Sequence, residues 1–181
     1  MPIPVRTSTY AAALLAGIDC LQVIMKWERR MQVGNLCRKA VVTVRQSDEI
    51  SSAAALMRDR HVGYLVVVEP DLHDGSPRPV GVLTDRDLVV SVLARDVAPP
   101  TLCVGDVMTR QPVVIAASES LDKALQAMRR IGVRRLPVVG TLGELQGVLS
   151  MDDIIDTLAG QLQAVAGSLR NEQVIEVALR P

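Results

Sequence analysis

One octapeptide occurs twice in this chain, and its second copy constrains the fold more than any other feature. Gly81-Val82-Leu83-Thr84-Asp85-Arg86-Asp87-Leu88 returns as Gly147-Val148-Leu149-Ser150-Met151-Asp152-Asp153-Ile154. Each copy reads glycine, two aliphatics, a hydroxyl residue, two variable residues, aspartate and an aliphatic, at an offset of 147 − 81 = 66. Upstream, Val33-Gly34 matches Val104-Gly105, Ala53 matches Ala124, Met57-Arg58 matches Met128-Arg129 and Leu65 matches Leu136, at an offset of 136 − 65 = 71. The difference, 71 − 66 = 5 residues, falls in the turn around Asp71-Leu72-His73-Asp74-Gly75-Ser76-Pro77, longer in the first copy. A repeat of this period implies two copies of one small subdomain.

Hydrophobic residues make up 49% of the 181-residue chain, enough to bury a core rather than stay disordered. Trp27, Tyr10 and Tyr64 are the only aromatics, so that core is built from Val, Leu, Ile, Ala and Met. Twenty Lys and Arg balance twenty Asp and Glu, leaving no basic field to attract nucleic acid. Cys20, Cys37 and Cys103 show no C-x-x-C spacing and, with only His61 and His73, support neither a disulfide framework nor a metal site. Reduced thiols suit a cytoplasmic protein.

The apolar run Tyr10–Met25 follows Arg6, but Asp19 interrupts it and it is too short to cross a membrane. Two readings stay open: residues 1–32 are a helical extension that docks on the core, or translation naturally starts at Met25 or Met31.

Each repeat reads strand, helix, strand, turn, strand, helix. In the first (33–95), Val41–Val44 is β-branched, and Ser47-Asp48-Glu49 has the form of a helix start with Ser47 as N-cap. Val62–Val68 is a continuous apolar strand, which suggests burial on both faces. Pro79–Leu83 is its partner, and a helix follows from Asp85 to Ala94. Residues 96–103, with Pro99-Pro100, form the linker. In the second repeat (104–162), Pro112–Ile115 is the first strand and Ser118 the cap; Val133–Val139, Leu145–Leu149 and the Met151–Leu162 helix follow. In the tail (163–181), Gln173–Leu179 fits a strand or a helix equally.

Thr84-x-x-Asp87 and Ser150-x-x-Asp153 each have the form of a capping box with Asp in place of Glu. Such boxes are common in unrelated proteins. Here the box occurs twice, each time where a glycine-bearing strand hands over to a helix, and helix N-termini favour anions. Gly81 and Gly147 leave room for a ligand or another backbone. A carboxylate can accept from two ribose hydroxyls, and a hydroxyl can donate to phosphate.

With these octapeptides, Val104-Gly105-Asp106-Val107-Met108-Thr109 leading into Pro112-Val113-Val114-Ile115, and Gly132-Val133-Arg134-Arg135-Leu136-Pro137-Val138-Val139, residues 33–160 resemble a tandem pair of CBS (cystathionine-β-synthase-type) domains, a Bateman module. The resemblance implies an α+β fold of two βαββα repeats about a pseudo-twofold axis, with adenosine-type ligands in two crosswise clefts. One would join Thr84 and Asp87 to Val113, Val114, Val133, Arg134, Arg135, Leu136 and Pro137. The other would join Ser150 and Asp153 to Val42, Thr43, Gly63, Tyr64 and Leu65. Gly63 and Tyr64 replace the arginine pair in that second cleft, and Val66 stands where the other repeat has Pro137, so the second cleft is expected to lack basic residues.

The resemblance points to AMP, ADP or ATP, ahead of S-adenosylmethionine or NAD(H), with no required cofactor. No nucleophile–base set lies outside the repeats, and no G-x-x-x-x-G-K-S/T loop is present, so a regulatory module without catalytic residues is expected. The alternatives are a degenerate pair that scaffolds a partner without nucleotide, or a subunit of an enzyme whose catalytic chain is separate. Val89, Val92, Ile155 and Leu158 are expected to face outward and pair two copies into a homodimer. A regulated protein is the further partner expected; neither nucleic acid nor a membrane is.

Overall fold

The computed structural model describes residues 31–179. The elements follow the sequence pattern, with boundaries moved by tertiary contacts. In the first repeat they are helix α1 (Val33–Leu36), β1 (Thr43–Val44), α2 (Ile50–Arg60), β2 (Tyr64–Pro70), β3 (Pro77–Thr84) and α3 (Asp85–Ser91). The second runs α4 (Val104–Val107), β4 (Thr109–Arg110), β5 (Ile115–Ala116), α5 (Leu121–Ile131), β6 (Arg135–Val139), β7 (Leu145–Ser150) and α6 (Met151–Leu179). In each repeat the first strand runs parallel to the second, and the second runs antiparallel to the third. This is the mixed α+β pair that the repeat implied. The expectation for residues 1–30 lies outside the described residues; the tail, open between strand and helix, continues α6 to Leu179.

The segments that open each repeat pack on the opposite repeat. Val33, fully buried, fills the second core with Cys37, Met128 and Leu149. Val104, equally buried, fills the first with Met57, Leu83 and Met108. The backbone repeats the exchange bond for bond. Val33 N–H donates to Glu119 O at 2.9 Å, and Val104 N–H to Asp48 O at 2.8 Å. Gly34 donates to Ala117 O at 2.8 Å, and Gly105 to Gln46 O at 2.9 Å. Further on, β4 pairs with β3 at Gly81 and Val82, while Arg38 bridges Val148. Burying one such valine is worth roughly 1.5–3 kcal/mol, so each core depends on a residue from outside its own repeat.

These crossings explain two departures from the sequence reading, and a third follows from where α3 ends. Ser47 does not cap α2: Glu49 bridges Cys103 and Ile50 N–H reaches Leu102 O, so the crossing segment holds the chain extended until Ile50. Ser120, not Ser118, caps α5, because Gln32 and Met31 hold Ser120 and Leu121 in the same way. Val92 is buried at 2% exposure instead of facing outward, because α3 stops at Ser91 and a tight turn at Leu93–Arg95 follows. Val89, Val90 and Leu93 are the exposed aliphatics there.

The repeated glycines belong to the same geometry. A Cβ on Gly147 would lie 2.6 Å from Cys37 Sγ and 2.7 Å from Arg38 O; on Gly81 it would meet Met108 Sδ at 2.5 Å and Thr109 O at 3.1 Å. At both, a side-chain sulfur and a backbone carbonyl of the crossing segment fill the space. The Met108 thioether end can swing away, whereas the Arg38 carbonyl is held in its bridge. Gly147→Ala is therefore expected to destabilise the protein by roughly 1–3 kcal/mol and Gly81→Ala by less. Urea denaturation of the two variants checks the order.

Candidate functional site

The octapeptide ends form capping boxes that leave a carboxylate at the mouth of each cleft. Thr84 caps α3: Asp87 N–H donates to Thr84 Oγ1 at 3.2 Å, and Asp87 Oδ2 accepts from Thr84 N–H at 2.8 Å and Thr84 Oγ1 at 2.7 Å. Ser150 and Asp153 repeat this at α6, with Asp153 N–H to Ser150 Oγ at 3.1 Å and Ser150 N–H to Asp153 Oδ2 at 3.2 Å. The hydroxyl of Ser150 also donates to Asp153 Oδ2. Capping occupies one oxygen of each aspartate and leaves the other, Oδ1, to the cleft.

The first cleft has a volume of about 500 Å³ and joins the two repeats crosswise. Thr84 and Asp87 face Val113, Val133, Arg134, Arg135 and Pro137, together with Asp85, Arg86, Thr109 and Gln111. Asp87 Oδ1 has no hydrogen-bond partner among the described residues. Arg134 is exposed and forms no ion pair among the described residues. The second cleft, about 240 Å³, joins Ser150 and Asp153 to Val42, Gly63 and Tyr64, and adds Arg38, His61, Arg135 and Asp152.

Tyr64 and Arg135 occupy equivalent positions, 135 − 64 = 71 apart, and they meet: the Arg135 guanidinium lies 5.8 Å from the Tyr64 ring centroid. Contact between equivalent positions marks the pseudo-twofold axis. Both residues line both clefts. Arg135 also stands 3.9 Å from the Asp152 carboxylate. Burial pushes the Tyr64 phenol above its ordinary value, against the pull of the Arg135 charge, so it stays neutral as a donor.

Several expected site residues fall elsewhere. Leu65 is fully buried in the first core rather than in the cleft, because alternate residues of a strand face opposite ways and Tyr64 takes the cleft side. The Leu136 side chain is buried in the second core, although its strand borders the first cleft. Thr43 and Val114 are exposed and border neither cleft. Gly81 and Gly147 lie under the crossing segments and border neither cleft.

The expectation of a second cleft without basic residues is overturned. Arg135 reaches it from the axis, and Arg38 enters on the crossing segment, donating from Nε to Asp153 Oδ1 at 2.6 Å. Arg38 matches Thr109 at the offset 109 − 38 = 71, and Thr109 lines the first cleft. The repeat register thus held the signal for both, but not the exchange that carries them across.

Burial works to raise the Asp153 carboxyl, but hydrogen bonds from Ser150 and Arg38 and the Arg38 charge outweigh it, and its pKa falls below the ordinary value. Among the described residues, no group of three or more His, Cys, Asp or Glu could hold a metal, and no helix is long and apolar enough to cross a membrane.

The profile of one family, the CBS domain, matches residues 33–94 and 104–160. An uncharacterised protein of Methanopyrus kandleri is 29% identical over 70% of this chain, which spans 62% of that relative's length. YlbB of Bacillus subtilis is 34% identical over 67% of this chain and 76% of its own. The crystal structure of Hypoxic Response Protein I, described with two coordinated zinc ions, superposes with a TM-score of 0.61 at 28% identity, covering 70% of this chain and 98% of that one. A CBS domain protein of Pyrobaculum aerophilum, complexed with AMP, shares the fold at a TM-score of 0.59 and 24% identity, over 67% and 88% of the two chains.

The depressed carboxyl of Asp153 has a consequence for stability against pH. With a folded pKa below the ordinary 3.8, the contribution of Asp153 is present above that value and is lost as pH falls through the folded pKa. The stability difference between the wild type and Asp153→Asn at neutral pH is expected to shrink on acidification below that value. Chemical denaturation at a series of pH values checks it; a pH-independent difference would refute it.

Proposed function

Because this chain belongs to the CBS domain family, we propose that it is a regulatory module that binds an adenine nucleotide in its first cleft. One observation carries this reading: among the described residues Asp87 Oδ1 has no hydrogen-bond partner and Arg134 no ion pair, and the two share that cleft with Arg135, both arginines coming from the opposite repeat. Ribose hydroxyls donate to Asp87 Oδ1. The Thr84 hydroxyl and the arginines take phosphate, for which the guanidinium fork is well suited. Val113, Val133 and Pro137 supply an apolar wall for the base.

The ligand on this reading is AMP, ADP or ATP. S-adenosylmethionine, a sulfonium cation without phosphate, ranks behind because the cleft is rich in arginine, and NAD(H) is the lesser alternative. The AMP complex of the Pyrobaculum relative supports the ligand class. A nucleotide that bridges the repeats favours one relative arrangement of them and so biases contact with a regulated protein. No cofactor and no catalytic step enter this cytoplasmic role.

Two copies pair through the outer helical faces, where Val89, Leu93, Ile155 and Leu158 are exposed. That apolar surface also favours the rival reading, a dimerising scaffold that needs no nucleotide.

Calorimetric titration separates the two. Asp87→Ala is expected to weaken AMP and ATP about tenfold to a hundredfold, and Arg134→Ala to weaken both more than adenosine. Wild-type protein that binds none of these ligands would leave the scaffold. Light scattering is expected to show twice the monomer mass for the wild type and a shift toward monomer for Leu158→Glu.

A further inference from the structure

The two clefts are equivalent by repeat register and unlike in chemistry. In the first, the carboxylate oxygen not used for capping, Asp87 Oδ1, has no partner among the described residues. In the second, the corresponding Asp153 Oδ1 accepts from Arg38 Nε at 2.6 Å, so both oxygens of Asp153 are engaged. Thr109 stands in the first cleft where Arg38 stands in the second, and its side chain is too short and uncharged to do the same. The second cleft also has about half the volume, about 240 against 500 Å³.

We propose that Arg38 is a built-in occupant of the second cleft, closing the ribose-accepting oxygen of Asp153 and restricting the chain to one nucleotide. The inference rests on the nucleotide reading above and deepens it by assigning the residue that decides how many sites are open. The direction follows from donor strength. A ribose hydroxyl is a neutral donor, and it must displace a charged guanidinium whose hydrogen bond to a carboxylate is the stronger kind. The placement suits such a role. The Arg38 side chain is 72% exposed while that of Asp153 is 11% exposed, so the cation lies over the carboxylate from the solvent side. Removing it uncovers the acceptor without opening a core. Arg38 is also tethered at its backbone by paired hydrogen bonds with Val148, of 2.9 and 3.0 Å, which keeps it beside Asp153.

Calorimetry of the full chain with AMP and with ATP tests this. The wild type is expected to take one nucleotide per chain, and Arg38→Ala two. Adding Asp153→Ala to Arg38→Ala should return the count to one. The reciprocal variant, Thr109→Arg, places the same cation in the first cleft and should weaken or abolish its binding. Melting curves establish that each variant is folded. A wild type that binds two nucleotides, or a folded Arg38→Ala that still binds one, overturns the role of Arg38 while leaving the nucleotide reading standing. Loss of affinity in Arg38→Ala would likewise overturn it, by making Arg38 a ligand contact. Absence of binding in both wild type and Arg38→Ala overturns the nucleotide reading and this inference with it.

Discussion

The crossing of one chain segment over Gly81, and of its counterpart over Gly147, is the contact on which the rest of the structure depends. Both glycines leave only enough room for a neighbouring segment, with Met108 Sδ and Thr109 O above one and Cys37 Sγ and Arg38 O above the other. The same segments carry Val104 into the first core and Val33 into the second. Neither repeat has a finished interior alone, so the halves behave as one packed body rather than two beads on a linker. The same crossings bring Thr109 and Arg38 to the cleft walls, so the device that joins the repeats also furnishes the clefts.

A second economy lies in the aspartates. Asp87 and Asp153 are structural residues in the plain sense: each closes a capping box with one carboxylate oxygen. The structural and ligand readings of the octapeptide do not compete, because a carboxylate has two oxygens and the cap uses one. What separates the two sites is the remaining oxygen, without a partner among the described residues at Asp87 and held by Arg38 at Asp153. Near-symmetry of backbone therefore coexists with a difference in how the two carboxylates are paired.

At the axis, Tyr64 and Arg135 express that asymmetry in one contact. A true repeat would place like against like; here a phenol that stays neutral meets a guanidinium, and both border both clefts. The pairing joins the clefts physically, since Arg135 stands within reach of either and also near Asp152.

The order of residues alone carries the two βαββα units and the site of the five-residue insertion, through local pattern and repeat register. The crosswise grouping of Thr84 and Asp87 with Arg134, Arg135 and Pro137 was implied only by the resemblance to a CBS pair, and the first cleft brings those residues together. The sequence also carried the match of Arg38 with Thr109, but not its meaning, because register says which positions are equivalent and not which sheet a segment joins. Three outcomes were decided only in the tertiary structure: the exchange of the opening segments, the helix starts at Ile50 and Leu121, and the inward turn of Val92. Leu65 shows the limit most simply. In a wholly apolar strand every residue is equally fit for the interior, so only packing against the helices sends Leu65 to the core and leaves Tyr64 beside Arg135.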